Sequence, residues 1–245
     1  MAELDHAQHV AATPPEDVGV PAFGYARGGE DLMNLDFHNI PYWGEEEPLV
    51  KEYVPTRGKG MRAVKSIAVQ DQASTLPFWG TTLRADLSAD RAVLVVADVC
   101  DEFLGEGRRK LVFDCTSVTH RALSKLNERG VLFATLRRSS KKLREGIASV
   151  PEGEWRPVKL SNPKRKHQRL EYHESMEELR GYRGEVRQVV VRGNGHEEPM
   201  VLITNDLEVP VKQALEEYAR RWRLENNLSE NTTSSPRTGC PATWG

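Results

Sequence analysis

Residues 110–138, KLVFDCTSVTHRALSKLNERGVLFATLRR, contain the pattern that decides the fold. The first part is a short apolar run that ends at Asp114, which is typical of a buried strand in a parallel sheet. An amphipathic segment follows and ends at Gly130, the residue type that often follows the last turn of a helix. VLFATLRR is again strand-like. A strand, a helix and a strand in this order predict a right-handed crossover and a parallel pair.

The chain before this unit predicts three strands and a helix. DLMNLDFHNIPY alternates apolar and polar residues, which indicates a strand. RAVKSIAVQDQAS and LPFWGTTLRADL predict two more strands, which are antiparallel because their connection near residues 74–76 is short. SADRAVLVVADVCDEFLGEG has an N-cap candidate, Ser88, an apolar periodic run and then Gly105, so it predicts a helix. The segment GEEEPLVKEYVPTRGKG, residues 44–60, is predicted to be a loop of mixed charge.

The chain after this unit changes character. Residues 139–206 contain four strand-like runs, EWRPVKL, QRLEYHES, EVRQVVVRG and EPMVLITND, separated by polar turns. Residues 210–229 predict the last helix, with Pro210 suited to its first turn. Residues 1–30 are rich in Pro and Gly and predict a flexible segment. The sequence therefore predicts an α/β beginning, a β-rich segment and a final helix.

Composition sets limits on the class of protein. The chain has 245 residues, 38% hydrophobic and 29% charged, which is typical of one large or two small globular domains. The formal net charge of −2 means that a nucleic-acid partner would be bound by local basic patches. No apolar run approaches the ~20 residues of a membrane span, and the N-terminus lacks a secretory signal. The three cysteines form no C-x-x-C pair, so we expect neither a zinc site nor disulfides, and a cytoplasmic setting.

Three carboxylates are candidates for a common site. Asp36 lies in the first predicted strand, Asp114 ends a later strand, and Glu225 lies on the last helix. In an open α/β sheet, sites form at the carboxyl ends of strands. Carboxylates that converge there repel one another unless a cation compensates, and hard oxygen ligands suit Mg²⁺ or Mn²⁺. Two such ions, ~3.5–4 Å apart, would hold the attacking and leaving oxygens of a phosphodiester.

Each of these residues also has a structural interpretation. An Asp at the end of a strand is often a turn or cap residue. Glu225 is four residues after Arg221 and would pair with it along a helix. Tyr218 on the same helix is a residue type that commonly packs in the core. The order of the three acids and their structural context favour the common site.

Three segments resemble the catalytic segments of insertion-sequence DDE transposases: LMNLDFHNIPYWGEEEP, KLVFDCTSVTHRALSKLNERGVLFATLRR and YARRWRLENNLSEN. The IS-four-like group is the most similar, with a signature of Tyr, two residues, Arg, three residues and Glu. The resemblance runs from about residue 31 to residue 231. It implies that Asp36, Asp114 and Glu225 are the catalytic metal ligands. It also implies that Tyr218 and Arg221 lie near the substrate DNA.

The resemblance implies a fold and an activity. The implied fold is a ribonuclease-H-like mixed sheet with flanking helices and a β-rich insertion before the last helix. Two Mg²⁺ or Mn²⁺ ions would let water cut a phosphodiester at a transposon end, and the freed 3′-hydroxyl would attack target DNA. The implied partners are double-stranded DNA, as transposon ends and target, and a second copy of the chain in a homodimer on DNA, without a membrane. The implied location is the nucleoid of a prokaryotic cytoplasm.

The implied domain organisation follows the motifs. Residues 31–138 and 207–231 form the catalytic core, and residues 139–206 form the insertion. The signature expects a Lys where the chain has Thr232, and the tail TTSSPRTGCPATWG has no periodicity. We therefore expect residues 232–245 to be a disordered, aberrant tail. With about thirty polar residues before the first catalytic Asp, the pattern predicts a truncated or frameshifted copy.

Two basic segments are candidates for DNA contacts. RRSSKKLR, residues 137–144, follows the third strand-like element of the crossover unit, and NPKRKHQR, residues 162–169, lies in the insertion. Arg137 and Arg138 are predicted to contact the DNA backbone because they lie at the expected active-site edge. The alternative for both segments is a solvated loop.

Three functions remain open from the sequence. The first is a transposase catalytic domain. The second is an inactive remnant that binds only DNA or partner subunits. The third is a ribonuclease-H-like nuclease unrelated to transposition.

Overall fold

The computed structural model describes eight ranges of the chain. These ranges are 31–43, 51–54, 57–83, 87–105, 107–114, 118–161, 169–195 and 197–221. The predictions for residues 1–30 and 232–245, for residues 162–168 of the second basic segment and for Glu225 as a metal ligand fall outside the described residues. Within the ranges that are described, no helix combines the length and the apolar character that crossing a bilayer requires.

Ten strands and four helices make up the described structure. The strands are β1 (Asp31–Pro41), β2 (Lys51–Val54), β3 (Lys59–Asp71), β4 (Pro77–Leu83), β5 (Arg109–Phe113), β6 (Leu132–Leu136), β7 (Arg156–Lys159), β8 (Arg169–Glu178), β9 (Glu185–Arg192) and β10 (Met200–Thr204). The helices are α1 (Ala89–Leu104), α2 (His120–Glu128), α3 (Lys141–Ala148) and α4 (Val211–Arg220). The predicted combination of helices and strands is confirmed.

The strands form one mixed sheet. Its order is β2-β3-β1-β5-β6-β10-β9-β8-β7, and β4 also pairs with β3. β1, β5 and β6 are parallel neighbours, whereas the other pairs are antiparallel. The parallel pair predicted from residues 110–138 is confirmed as β5 and β6, with α2 as the crossover helix. The predicted antiparallel pair before α1 is confirmed as β3 and β4.

The termini of α1 and α2 follow the signals in the sequence. The Ser88 side chain accepts a hydrogen bond from the backbone N–H of Arg91, and Gly105 ends α1 with a φ of 71°. Thr119 caps α2 in the same way, and Gly130, with a φ of 72°, follows its last turn. Because these φ values favour glycine, the two glycines fix where the helices stop.

Apolar side chains cover both faces of the sheet. On one face, α1 and α2 pack against residues of β1 and β5 that include Met33, Leu35 and Phe113. On the other face, α4 packs against Val112 of β5 and residues of β6, β8, β9 and β10. Since β5 is covered on both sides, its five residues are all buried. The site described below lies on the α4 face.

Two elements correct the sequence-based prediction. β2 lies in the segment that was predicted to be a loop, and α3 begins at Lys141 within the basic segment 137–144, for which no helix was predicted. β2 has only four residues, and α3 has only two large apolar side chains, Leu143 and Ile147, neither of them fully buried, so each offers too few apolar residues for a prediction from periodicity. The strands within residues 139–206 continue the main sheet, because β10 pairs directly with β6. The division of the chain into a core and an insertion stays a prediction.

Candidate active site

Asp36 and Asp114 follow paired positions on two neighbouring parallel strands. Leu35 of β1 pairs with Phe113 of β5, and the two aspartates come directly after these partners. Leu35 and Phe113 pack toward α1 and α2. Because successive side chains of a strand point to opposite faces, the next residue on each strand points to the α4 face. The parallel register therefore brings two carboxylates to neighbouring positions on the same face of the sheet.

Arg221 bridges the two carboxylates from the end of α4. Its Nη2 lies 3.4 Å from Asp114 Oδ2, and its Nη1 lies 3.8 Å from Asp36 Oδ1. The Arg221 side chain is 2% exposed, whereas those of Asp36 and Asp114 are 14% and 39% exposed. The guanidinium carbon also lies 5.5 Å from the centre of the Tyr218 ring. Tyr218 is itself buried among the apolar residues under α4. The arginine is thus held in the protein interior and directed at both acids.

The carboxylate pair has the donor chemistry of a divalent-cation site. Asp36 and Asp114 contribute two negative charges and Arg221 one positive charge, so the trio is formally anionic. Hard carboxylate oxygens that are partly exposed suit Mg²⁺ or Mn²⁺. In the part of the chain that the structure describes, no three His, Cys, Asp or Glu side chains form a complete cluster for a metal ion. The predicted third ligand, Glu225, falls outside that part, so the residues present fit the cation as a partial ligand set.

A buried lysine lies further back on the same face. The Lys110 side chain is fully buried, with its Nζ 2.8 Å from Asp206 Oδ2 and 2.7 Å from Glu217 Oε2. Gln72 donates to the backbone oxygen of Glu217 and to Asn34 Oδ1, at 2.9 and 2.8 Å. This buried polar cluster joins β1, β5 and the loop after β10 to α4. The cluster fixes α4 against the sheet at Glu217, which is four residues, or about one helical turn, before Arg221.

The cluster determines the ionisation of Asp206. Burial is the largest single influence and would raise the pKa of this carboxyl group, but the hydrogen bond and charge of Lys110 lower it. The charge of Arg108 and a backbone hydrogen bond from Val209 act in the same direction. The pKa of Asp206 is therefore lowered from its ordinary value, and the group stays ionised in the interior.

The sequence analysis missed Lys110, Asp206 and Glu217. KLVFD was interpreted as an apolar strand. Lys110, however, lies two residues before Val112 and four before Asp114, so its side chain points to the same face as theirs. Glu217 lies within the buried stripe of α4, whose members include Ala214, Tyr218 and Arg221. An acid in the apolar stripe of a helix and a lysine in a buried strand were the available signals for an internal ion pair.

The predicted DNA contacts occupy different positions. Arg137 extends from β6, and its Nη1 contacts Gln188 and lies 3.4 Å from Glu177 Oε2. Phe133 packs with α1 and α2, and Arg137 is four residues later along the same strand direction. Its side chain therefore points to the face of α1 and α2, away from the carboxylate pair. Arg138 is exposed. Tyr218 and Arg221 are 3% and 2% exposed. A DNA contact remains a prediction for all four residues.

A cleft of about 610 Å³ lies between α4 and the turn after β3. Neither Asp36 nor Asp114 lines it. Its lining mixes both signs of charge and consists of Leu32, Gln72, Ala73, Lys212, Gln213, Glu216, Glu217 and Arg220. We therefore take the carboxylate pair, and not this cleft, as the candidate active site.

Comparison with known proteins gives a fold. No family model matches the chain, and no curated protein matches it. Among solved structures, a piggyBac transposase synaptic complex with hairpin DNA is similar, with a TM-score of 0.52 and 11% identity. The similarity covers 82% of this chain and 41% of that one, so the chain spans about two fifths of the transposase. Together with the sheet described above, this confirms the predicted α/β, ribonuclease-H-like fold.

Endonuclease V structures are more distant. The Bacillus subtilis enzyme has a TM-score of 0.36 and 10% identity, over 83% of this chain and 82% of that one. The Ciona intestinalis enzyme, in complex with a DNA that contains inosine, has a TM-score of 0.36 and 8% identity, over 82% and 87% of the two chains.

Proposed function

We propose that this chain is the catalytic domain of a DNA transposase of the DDE type, in the IS-four-like group. It would cut a phosphodiester at a transposon end and join the freed 3′-hydroxyl to target DNA. The observation that carries the proposal is the position of Asp36, within β1, and of Asp114, directly after β5, on one face of the sheet, where the buried guanidinium of Arg221 contacts both. The ribonuclease-H-like fold and the resemblance of the three sequence segments support it.

Asp36 and Asp114 would hold divalent cations through their carboxylate oxygens, with Glu225 as the third ligand by resemblance. When bound, Mg²⁺ or Mn²⁺ would neutralise the charge that develops on the phosphodiester oxygens. Arg221 would keep the two carboxylates in place and offset their mutual repulsion. Tyr218 would hold the guanidinium in position by packing beside it.

The reaction consists of two displacements at phosphorus. In the first, water adds to the phosphorus at the transposon end and the P–O3′ bond breaks, which leaves a 3′-hydroxyl and a 5′-phosphate. In the second, that 3′-hydroxyl forms a bond to a target phosphorus and displaces a target 3′-oxygen. The proton of each attacking oxygen passes to solvent, and the proton of each leaving oxygen comes from solvent. A covalent bond to the protein is not required at either step.

The test is a cleavage and joining assay on DNA that flanks the gene. Labelled fragments with those flanks are incubated with the purified chain, a target plasmid and Mg²⁺ or Mn²⁺. We expect nicks with 3′-hydroxyl ends and joined products, both lost on chelation. Asp114→Asn should lower both by at least about 100-fold, because a cation ligand is removed.

The matched control is Asp98→Asn. Asp98 is an exposed residue of α1 that pairs with Arg129, on the opposite face of the sheet from the carboxylate pair. This variant should keep the wild-type rate. Equal rates for the wild type and Asp114→Asn would overturn the assigned site. Cleavage without joining would instead indicate a nuclease, and DNA binding without cleavage would overturn the catalytic proposal.

A further inference from the structure

The face of the sheet that carries Asp36 continues onto the β2–β3 hairpin. On β1, His38 and Ile40 follow Asp36 at intervals of two residues, so the three side chains point to the same face. Ile40 pairs with Val64, which is two residues from Arg62 on β3. Arg62 in turn pairs with Lys51 of β2. Strand pairing therefore connects the candidate active site on β1 to Lys51 on β2 through the intervening strand β3.

We define the hairpin surface as the side chains of His38, Ile40, Lys51, Tyr53 and Arg62. Tyr53 belongs to it because it lies two residues after Lys51 on β2. The backbone of β2 is tied to β1, since Asn39 Nδ2 donates to the Tyr53 backbone oxygen at 3.0 Å. The surface is therefore part of the same sheet as the carboxylate pair, with the hairpin fixed against β1.

Two cations of this surface are directly opposed. Lys51 and Arg62 form a cross-strand pair, and both are exposed. Like charges that face each other across two strands destabilise a hairpin. Among the described positions on this face in β2, β3 and the part of β1 after Asp36, none is acidic. The arrangement costs stability in the isolated protein and suits an anion that lies between the two side chains.

Large apolar side chains lie beside the cations. Tyr53 and Ile40 are 61% and 41% exposed. At the end of β1, Trp43 is 69% exposed, and the guanidinium carbon of Arg57 lies 5.6 Å from the centre of its ring. Exposed aromatic rings among cations are the features by which proteins hold a nucleic-acid strand, because phosphates meet the charges and bases stack on the rings.

We propose that the hairpin surface binds the DNA strand that leaves the candidate active site. Lys51 and Arg62 hold one or two backbone phosphates, and the Tyr53 ring stacks on an unpaired base next to them. This inference rests on the proposed function and extends it by assigning a surface for the DNA beside the cut. DNA is the occupant because its phosphates match the two opposed cations and an unpaired base matches the aromatic ring of Tyr53.

The test measures binding without cleavage. Fluorescence anisotropy of labelled DNA is recorded with the full chain in EDTA, over a range of salt concentrations. One probe is a blunt duplex, and the other is the same duplex with a single-stranded extension. Lys51→Ala/Arg62→Ala should weaken binding of the extended probe by roughly tenfold and reduce the slope of log affinity against log salt by about 1.5. Lys125→Ala/Lys159→Ala removes two exposed lysines elsewhere, on α2 and on β7 at the far edge of the sheet, and should change neither quantity.

Two substitutions of Tyr53 test whether its ring stacks on an unpaired base. Tyr53→Ala should weaken binding of the extended probe by roughly tenfold and leave the blunt duplex unaffected, because only the extension offers an unpaired base. Tyr53→Trp should restore the binding of the extended probe. An equal loss with both probes, or no loss, would overturn the stacking of a base on Tyr53.

A charge reversal separates DNA binding from folding. Lys51→Glu replaces the opposed cations by an ion pair with Arg62, so we expect a higher thermal midpoint together with weaker DNA binding. A lower midpoint would overturn the repulsion on which the inference rests. Unchanged affinity and salt slope in Lys51→Ala/Arg62→Ala would overturn the inference even if the chain cuts DNA. If the chain binds through this surface but cuts nothing, the inference holds and the proposed function fails.

Discussion

Lys110 Nζ lies 2.7 Å from Glu217 Oε2, where the middle of α4 packs on β5. Four residues further along the chain in each case, the acid and the base have exchanged places, because Asp114, directly after β5, contacts Arg221 at the end of α4. Shifting α4 by one turn would bring Glu217 toward Asp114 and leave Lys110 without its acid. The two contacts therefore fix the register of the helix that carries Arg221.

Replacing Lys110 with Met should destabilise the protein by about 3–5 kcal/mol. The substitution conserves volume but leaves Asp206 and Glu217 as buried charges without their ammonium partner. Equilibrium denaturation with urea measures the change. Lys125→Met, at an exposed position of α2, should alter the free energy of unfolding by at most about 0.5 kcal/mol. A loss below about 1 kcal/mol for Lys110→Met would show that the interior tolerates the uncompensated acids.

The stability of the fold should decrease in acid because of Asp206. Its pKa is lowered in the folded protein, so its contribution is complete above the unfolded value near ~3.9 and is lost as the pH falls through the folded value. We expect the difference in unfolding free energy between wild type and Asp206→Asn to be constant from pH 7 to about 5 and to shrink below that. Denaturant titrations at each pH give both curves. A difference that grows toward low pH would contradict the ionised state of Asp206.

Arg221→Lys should impair catalysis more than folding. Lysine keeps the charge but lacks the planar fork with which Arg221 contacts Asp36 and Asp114 together. Since partners that orient metal-binding carboxylates are typically worth 10–100-fold in activity, we expect a loss of about that size in cleavage rate. The Mn²⁺ dependence of the rate should shift to higher concentration, which a purely structural defect would not cause. Arg220→Lys, next to it on α4 and exposed, is the control and should retain the wild-type rate.

The elements with regular patterns were predictable. α1 has a Ser cap, an apolar stripe and a final Gly, and the structure agrees with each. The proximity of Asp36 and Asp114 was also expected, because an Asp at the end of one strand can converge with an Asp on a neighbouring strand. Local periodicity and strand order are sufficient for such features, since they depend on few residues that are close in sequence.

The remaining features depend on contacts between distant segments. α3 has only Leu143 and Ile147 as large apolar side chains and fully buries neither, so its eight residues gave no helix prediction. Lys110 was included in an apolar run because its partners Asp206 and Glu217 are 96 and 107 residues away. Arg221 was expected to pair along its own helix or to meet DNA. A single sequence shows the charge of such residues but not the partner that makes burial possible.

The Cys100 thiol should resist alkylation in the native protein. Burial raises its pKa to about 12, although the nearby charge of Arg109 opposes this effect and that of Asp31 adds to it. The thiol is therefore neutral at pH 8, and its side chain is inaccessible within the apolar core under α1. Iodoacetamide followed by peptide mass spectrometry should find Cys100 unmodified in the native chain and fully modified in urea.

Val96→Ala, which removes two methyl groups from a buried position one helical turn away, should speed the modification of Cys100 by loosening this core, whereas Asp98→Asn at the exposed face should not. Rapid modification of Cys100 in the native wild type would contradict the packing of α1 on the sheet.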